Sequence, residues 1–456
     1  MNKPKLPNFI LSFAQVFIQH GFQLFLVGGA VRNIGLGITP KDWDFASDAE
    51  PEEVISLFKR VIPTGISHGT VTVLYRSHHF EVTTFRIDGS YTDNRRPDSV
   101  EFTKDIREDL DRRDFTINSM AIQLPEIKFF DPHNGLNDLS SKIIRCVGDP
   151  NLRFKEDALR ILRAIRFSSQ LGFTIEAQTW QGMKNHRDGL ASVSIERIRD
   201  EFTKIILSDQ ASSGVRQLEE IGLYQYFIPE ISKCVEADLF THLVNTVQAL
   251  PITATLPLRL AAFLHDIEKP TTESCTSDGA IHYLGHDQKG AETVQAILTR
   301  LRYPNQIVER TRRLVQHHMF EYTLTHDSAI RRLIARVGKD LIFDLILLKR
   351  ADILGKFLRV PNRAPAAILQ IDDLEGRIKE ILEGSPPLTV KDLAINGRQL
   401  MEHIKVKPGP HIGLILDELL ETVLADPAMN QAEKLLSLAK NFYETRINGP
   451  AQKSSE

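Results

Sequence analysis

An α+β chain, with a small mixed sheet first and helices after it, is the class the sequence predicts, and three observations predict it. β-Branched and aromatic runs bounded by Gly, Pro, Asn and Asp are confined to the first third. After about residue 150 the apolar spacing turns helical and stays so. At 456 residues the chain exceeds what one core normally supports, so strand-rich and helix-rich parts belong to separate domains.

The first element is the apolar stretch Phe9–Ile18, which follows Lys3 and Lys5 as a signal peptide would. Ser12 and Gln15 interrupt it and no small-residue cleavage site follows, so a core helix is expected and export is not. Phe25-Leu26-Val27 then reads as a buried strand ending at Gly28-Gly29, where backbone amides could approach phosphate without a Cβ in the way. In Asp42-Trp43-Asp44, an extended segment puts both carboxylates on one side and Trp43 on the other. Two such carboxylates make a hard oxygen site suited to Mg²⁺. Taken singly, Gly-Gly is ordinary turn chemistry and Asp-x-Asp an ordinary surface pair; their order and separation are what join them.

Further strands are expected at Thr70–Tyr75, Phe80–Phe85, Phe115–Ile122 and Ile143–Val147. Alternation places Glu81, Thr83 and Phe85 on one face, where Glu81 completes an acidic triad with Asp42 and Asp44 or simply meets solvent. Arg112-Arg113-Asp114 supplies two guanidiniums for phosphate or ribose oxygens and a carboxylate to orient them; an exposed ion pair reads the same way. Asp131 and Asp138 flank Gly135 in what is equally hairpin chemistry. Glu156–Ile165 begins a long run of helix formers, with Asp157 and Arg160 three apart on one helix face. That pair is either an intrahelical salt bridge or an acceptor and donor matched to a nucleobase edge.

Composition is ordinarily globular, 42% hydrophobic and 25% charged, and a net charge of -3 argues against indiscriminate polyanion binding. Basic residues concentrate late, at Arg300, Arg302, Arg310, Arg312, Arg313, Arg331, Arg332 and Arg336, as solvated helix faces or an RNA-facing surface. Cys146, Cys234 and Cys275 have no paired spacing, which fits a reducing compartment and disfavours a zinc ribbon. No stretch approaches a membrane span.

Together, Val27-Gly28-Gly29-Ala-Val-Arg32, Asp42-x-Asp44, Glu81-Val-Thr-Thr-Phe-Arg86, Arg112-Arg113-Asp114-Phe-Thr-Ile-Asn118, Glu156-Asp157-x-x-Arg160 and Ser194-Ile-Glu196-Arg197-Ile-x-x-Glu201 resemble, in order, the motifs of bacterial class II tRNA nucleotidyltransferases, the CCA-adding group that includes poly(A) polymerases. The likeness extends to Asp392-Leu-Ala-Ile-Asn396-Gly397 and Pro408-Gly-Pro410-x-Ile-Gly413. It implies catalytic Mg²⁺ on Asp42 and Asp44 with Glu81 in support, and ribose and phosphates on Gly28, Gly29, Arg32, Arg112, Arg113 and Asp114. It further implies CTP or ATP read by Asp157 and Arg160, a tRNA 3′ end as partner, and a cytoplasmic setting without membrane. Four parts follow: a catalytic head (1–148), a nucleotide-selecting neck (149–215), a body (216–362) and a tRNA-binding tail (363–456). One departure is Arg32-Asn33, where the family usually has Arg-Asp. Arg86-x-Asp88-x-x-Tyr91-x-Asp93-x-Arg95-Arg96-Pro97 resembles the full-length loop that permits the switch from C to A addition, which favours complete CCA or A-only addition over CC-addition.

In the body, His242, His265-Asp266, His286, His318 and Asp352 come in an order resembling the HD superfamily, whose members use such groups around metals for phosphoester hydrolysis. A second divalent metal there is one expectation, and a retained core without metal is the other. Adjacent His265 and Asp266 fit one helix turn, and His317 competes with His318 for the assignment. The readings in order are CCA addition, A-only or poly(A) addition, and an HD-type phosphohydrolase whose head merely binds nucleotide.

Overall fold

The computed structural model describes residues 4–89, 100–357 and 364–447 and is α+β as expected, with a mixed sheet in the first third and helices after it. The chain packs as two compact units, residues 1–232 with 300–303, and residues 233–299 with 304–456. The segment 90–99, which holds most of the loop likened to the C-to-A switch, lies outside the described residues.

In the first unit seven strands form one sheet, in the order Val61–Gly65, Thr70–Tyr75, His78–Thr84, Asp44–Ser47, Leu24–Val27, Ala121–Leu124 and Lys128–Phe130. Asp44–Ser47 and His78–Thr84 run parallel; the other neighbours are antiparallel. Helix Asn8–Gln19 buries Ile10, Phe13, Ala14 and Phe17, and Phe13 packs on Phe45 and Phe80 of the sheet. It is therefore the core helix its spacing predicts. On the opposite face Phe25, Val27, Ala46, Phe85 and Ala121 pack against Ile106 and Leu110 of helix Ile106–Asp111. Alternation carries Glu81 and Phe85 to that same face, with Phe85 under the helix and Glu81 exposed beyond it.

Two predicted strands are shorter than expected. Only Ala121 and Ile122 of the expected Phe115–Ile122 join the sheet, in the strand Ala121–Leu124; Phe115 makes a single bridge to Cys146 and Thr116–Asn118 is a 3₁₀ turn. Side-chain hydrogen bonds replace the ladder there: Thr116 donates to Asp138 at 2.7 Å and Asn118 to Asp114 at 3.2 Å. The last strand is reduced to Ile143–Ile144, paired in parallel with Thr174–Ile175.

The second unit is helical apart from a hairpin, Glu273–Cys275 with Ile281–Tyr283, which the helical periodicity did not predict. Its late part closes over Leu393, Ile395, Leu400, Ile415, Leu419 and Val423. Pro386 and Pro387 follow the end of helix Ala364–Glu383, as chain punctuation should. All three cysteines are free thiols. Among the described residues no helix is long and apolar enough to cross a membrane.

Candidate active site

The three acids come together where the strand Asp44–Ser47 begins beside the middle of His78–Thr84. Asp44 opens the strand Asp44–Ser47, Asp42 lies in the bend before it, and parallel pairing sets Asp44 beside Glu81. Trp43 turns away to meet the Phe9 ring edge-on at 6.2 Å. Burial first, then Glu81, push Asp44 above the ordinary carboxylate range; Asp42 adds to the rise and Arg113 opposes it. Acids crowded in this way raise one another's proton affinity, as neighbouring like charges do.

Gly28 ends the central strand with φ +64° and begins helix Gly28–Gly35. A Cβ there would lie 3.4 Å from Arg113 Nη1 and 3.9 Å from Asp44 Oδ2, so glycine keeps the space between them open. The helix N-terminus presents amide donors to the same space. The cavity it opens into holds about 710 Å³, a volume suited to a small ligand, and is lined by eight arginines and by Asp44, Asp114 and Asp157. Such an excess of fixed positive charge suits a polyphosphate.

The arginines are held from behind. Asp109, fully buried, accepts Arg112 Nη2 at 2.5 Å on one oxygen and Arg113 Nη2 at 2.9 Å on the other. Burial alone would raise its pKa, but Arg113 and Arg112 together bring it below the usual range. Asp114 faces inward, accepting from its own helix-entry neighbour Phe115 N at 2.8 Å, from Asn118 at 3.2 Å and from Arg163 Nε at 2.8 Å. Burial pushes that carboxyl up, yet Arg163 and Asn118 bring it down to about 2. Arg32 Nη1 reaches Asn118 Oδ1 at 2.6 Å, and its contact with Asn33 Oδ1 is long at 3.5 Å.

Asp157 and Arg160 are not on one continuous helix, contrary to their spacing. Helix Pro150–Glu156 ends, Asp157 is extended (φ -146°, ψ 103°), and a second helix runs Leu159–Leu171. The cause is local: Asp157 Oδ1 accepts from Leu159 N at 3.0 Å, so the side chain takes an orphan donor at the new helix start. Its Oδ2 accepts from Arg197 Nη2 at 2.7 Å. Arg160 Nη1 donates to Glu156 at 2.5 Å, and its Nη2 to the Arg112 carbonyl at 3.2 Å. Both residues line the cavity that Asp44 and Gly28 line.

The second unit gathers the other constellation. Asp266 Oδ2 lies 3.4 Å from His242 Nε2 and 3.2 Å from His265 Nε2, while its Oδ1 lies 3.4 Å from His286 Nε2 and 3.3 Å from His318 Nε2. Asp352 Oδ1 is 3.2 Å from His242 Nε2. Two groups with metal-ligand spacing therefore share Asp266. His265 and Asp266 lie in the turn after helix Leu256–Leu264 and not within a helix turn as expected, because the helix stops one residue earlier. His318 takes the position that His317 contested. Lys269 Nζ sits 2.6 Å from Asp266 Oδ2 and Lys356 Nζ 2.8 Å from Asp352 Oδ1. Burial would push His265 down, but Asp266 and Asp352 hold it up at about 9.

Three family models match the chain: the poly A polymerase head domain over residues 24–145, the RNA and SrmB- binding site of polymerase A over 172–234, and tRNA nucleotidyltransferase domain 2 over 288–439. The chain is 33% identical to the CCA-adding enzyme of Leuconostoc citreum, covering 95% of this chain and 97% of that one. It is 34% identical to the CCA-adding enzyme of Levilactobacillus brevis, covering 93% and 95%. The chain belongs to the CCA-adding enzyme family. A solved relative, the Bacillus stearothermophilus CCA-adding enzyme in complex with CTP, matches with a TM-score of 0.73 at 26% identity over 97% of this chain and 98% of that chain.

Within this CCA-adding family member, the cavity brings together Gly28, Gly29, Arg32, Asp44, Arg112, Arg113, Asp114, Asp157 and Arg160, with Asp42 and Glu81 beside Asp44. Sequence reasoning missed Asp109, although its spacing of three and four from Arg112 and Arg113 signals it once a helix is placed there. It also missed Arg163 and Arg166, which only the fold of Leu159–Leu171 turns into the cavity. The late basic residues resolve differently: Arg300, Arg310, Arg312 and Arg332 are each paired with an acid, which supports the helix-face reading for those four, while Arg302 pairs with Glu196 from the turn after helix His286–Arg300.

Proposed function

We propose that this CCA-adding family member restores or builds the 3′-terminal CCA of tRNA without a nucleic-acid template, using CTP and ATP and releasing pyrophosphate. One observation carries the reading: a single cavity joins Asp44, the arginines, and the Asp157–Arg160 pair, so acid chemistry, phosphate binding and base choice share a wall. Asp42 and Asp44, with Glu81 in support, fit Mg²⁺, which when bound would activate the primer 3′-hydroxyl and neutralise triphosphate charge. Arg112 and Arg113, fixed by Asp109, orient the phosphates. Arg160 offers donors and Asp157 an acceptor to the base edge, a pattern that suits C and A and mismatches U and G. Asp114 acts through Arg163 and Asn118, which it orients. We read the four parts 1–148, 149–215, 216–362 and 363–456 as head, neck, body and tRNA-binding tail, in a cytoplasmic enzyme.

The test supplies tRNAs ending before CCA, after C and after CC with CTP, ATP or both plus Mg²⁺, and sizes the products. Completion of all three is expected. A added to the CC-ended tRNA alone replaces this reading with A-only addition, and long A tracts on unrelated RNA replace it with poly(A) synthesis.

A second reading concerns the second unit, where two ligand groups meeting at Asp266 favour a divalent-metal centre of the phosphoester-hydrolysing kind, formed by His242, His265, Asp266, His286, His318 and Asp352. Equilibrium dialysis with Mn²⁺ tests it: retention that survives loss of Asp42 and Asp44 supports the centre, and none abolishes it.

A further inference from the structure

Among the arginines of the cavity, Arg197 is the one that holds Asp157, and like Arg166 on Glu201 it grips its carboxylate through a single nitrogen. Arg112 and Arg113 each place two nitrogens on Asp109, which satisfies the carboxylate and braces both guanidiniums. Arg197 places only Nη2 on Asp157, at 2.7 Å. Its Nη1 is buried at the cavity wall without a hydrogen-bond partner. The other oxygen of Asp157 is taken by Leu159 N at 3.0 Å. The carboxylate is thus fixed at both ends, by its own helix start and by a helix forty residues on, Ile195–Ile206.

We propose that Arg197 is a positioning residue for nucleotide selection: it clamps Asp157 in the orientation that accepts the exocyclic amine of cytosine or adenine. This rests on the base-reading role given to Asp157 above. Without the clamp, Asp157 keeps its bond to Leu159 N but is free to turn about it, and the preference for an amine over a carbonyl weakens. Arg166 and Glu201, joined at 3.0 Å, fix the same helix one turn later and leave Arg197 over Asp157.

The experiment measures kcat and KM for CTP and UTP on tRNA ending before CCA, in the full chain. Arg197→Met is expected to lower the CTP-to-UTP ratio of kcat/KM about tenfold, mostly through a higher KM for CTP. Arg197→Lys, which retains a positive charge able to reach Asp157, is expected to fall between Met and wild type. Arg302→Ala removes the Glu196 partner on the same helix and is expected to keep the wild-type ratio, separating helix support from positioning. A wild-type ratio in both Arg197 variants, with a relaxed ratio in Asp157→Ala, overturns the inference alone. A wild-type ratio in Asp157→Ala removes the base-reading assignment, and this inference with it.

Discussion

Asp44 in the head and Asp266 in the body are both aspartates set among other titratable groups, yet they are driven in opposite directions. Burial and then Glu81 push Asp44 up, with Asp42 adding to it and only Arg113 opposing. Asp266 is fully buried, which alone would raise it, but His265 and the hydrogen bonds of His242 and His286 hold it well below the ordinary range. One carboxylate stands mostly among like charges, with Arg113 opposing; the other is balanced by His265 and Lys269. Like charge around Asp44 would be relieved by a divalent ion, whereas in the second unit a metal on Asp266 Oδ2 and Asp352 would compete with Lys269 and Lys356, and one on Asp266 Oδ1, which faces His286 and His318, would not meet Lys269.

The largest effect expected from this contrast is at Asp44. Asp44→Ala should lower nucleotide incorporation on the order of 10³-fold or more with circular dichroism unchanged, measured by single-turnover addition of C. Mn²⁺ retention by the body centre should persist in that variant. Loss of both would show that the two regions are not independent.

Asp109→Ala comes next. It strands Arg112 and Arg113 beside a buried gap, and urea unfolding should report a loss of about 3 kcal/mol, with a raised KM for both nucleotides. Unchanged stability would mean that the arginines do not need their brace.

How much of this was legible depended on distance along the chain. The nearness of Asp44 and Glu81 was readable because strand alternation is a local rule and the sheet then aligned the two segments in register, whereas Asp42 lies in a bend and not in the extended segment expected for it. Asp157 was misread because a spacing of three is helical only if the helix continues, and an aspartate able to bond Leu159 N favours a break. The strand expected at Phe115–Ile122 failed for a related reason, since Thr116 and Asn118 found side-chain partners at Asp138 and Asp114. The clustering in the second unit was signalled by residue type and order, with five chain segments converging only in three dimensions.

The acid dependence of stability sharpens the same contrast with a smaller effect. Asp114 titrates at about 2 in the folded chain against an ordinary 3.8, so its contribution is present above the ordinary value and lost as pH falls through the folded one. Between pH ~4 and ~2 the wild type should lose about 2 kcal/mol more than Asp114→Asn, read from unfolding midpoints across pH. Parallel curves would contradict the Arg163 pairing as its cause.

In the body, Asp352→Asn should weaken Mn²⁺ retention on the order of tenfold, followed by equilibrium dialysis, because Asp352 closes one of the two ligand groups. Undiminished retention would place the metal, if held, on the Asp266–His286–His318 side alone.

The central claim is that the protein itself chooses the base. Calorimetric titration of CTP, ATP, UTP and GTP into the RNA-free chain with Mg²⁺ tests this most directly. CTP and ATP should bind more tightly than UTP and GTP, with the difference erased in Arg160→Ala. Equal affinity for all four nucleotides in the unmodified chain would contradict it.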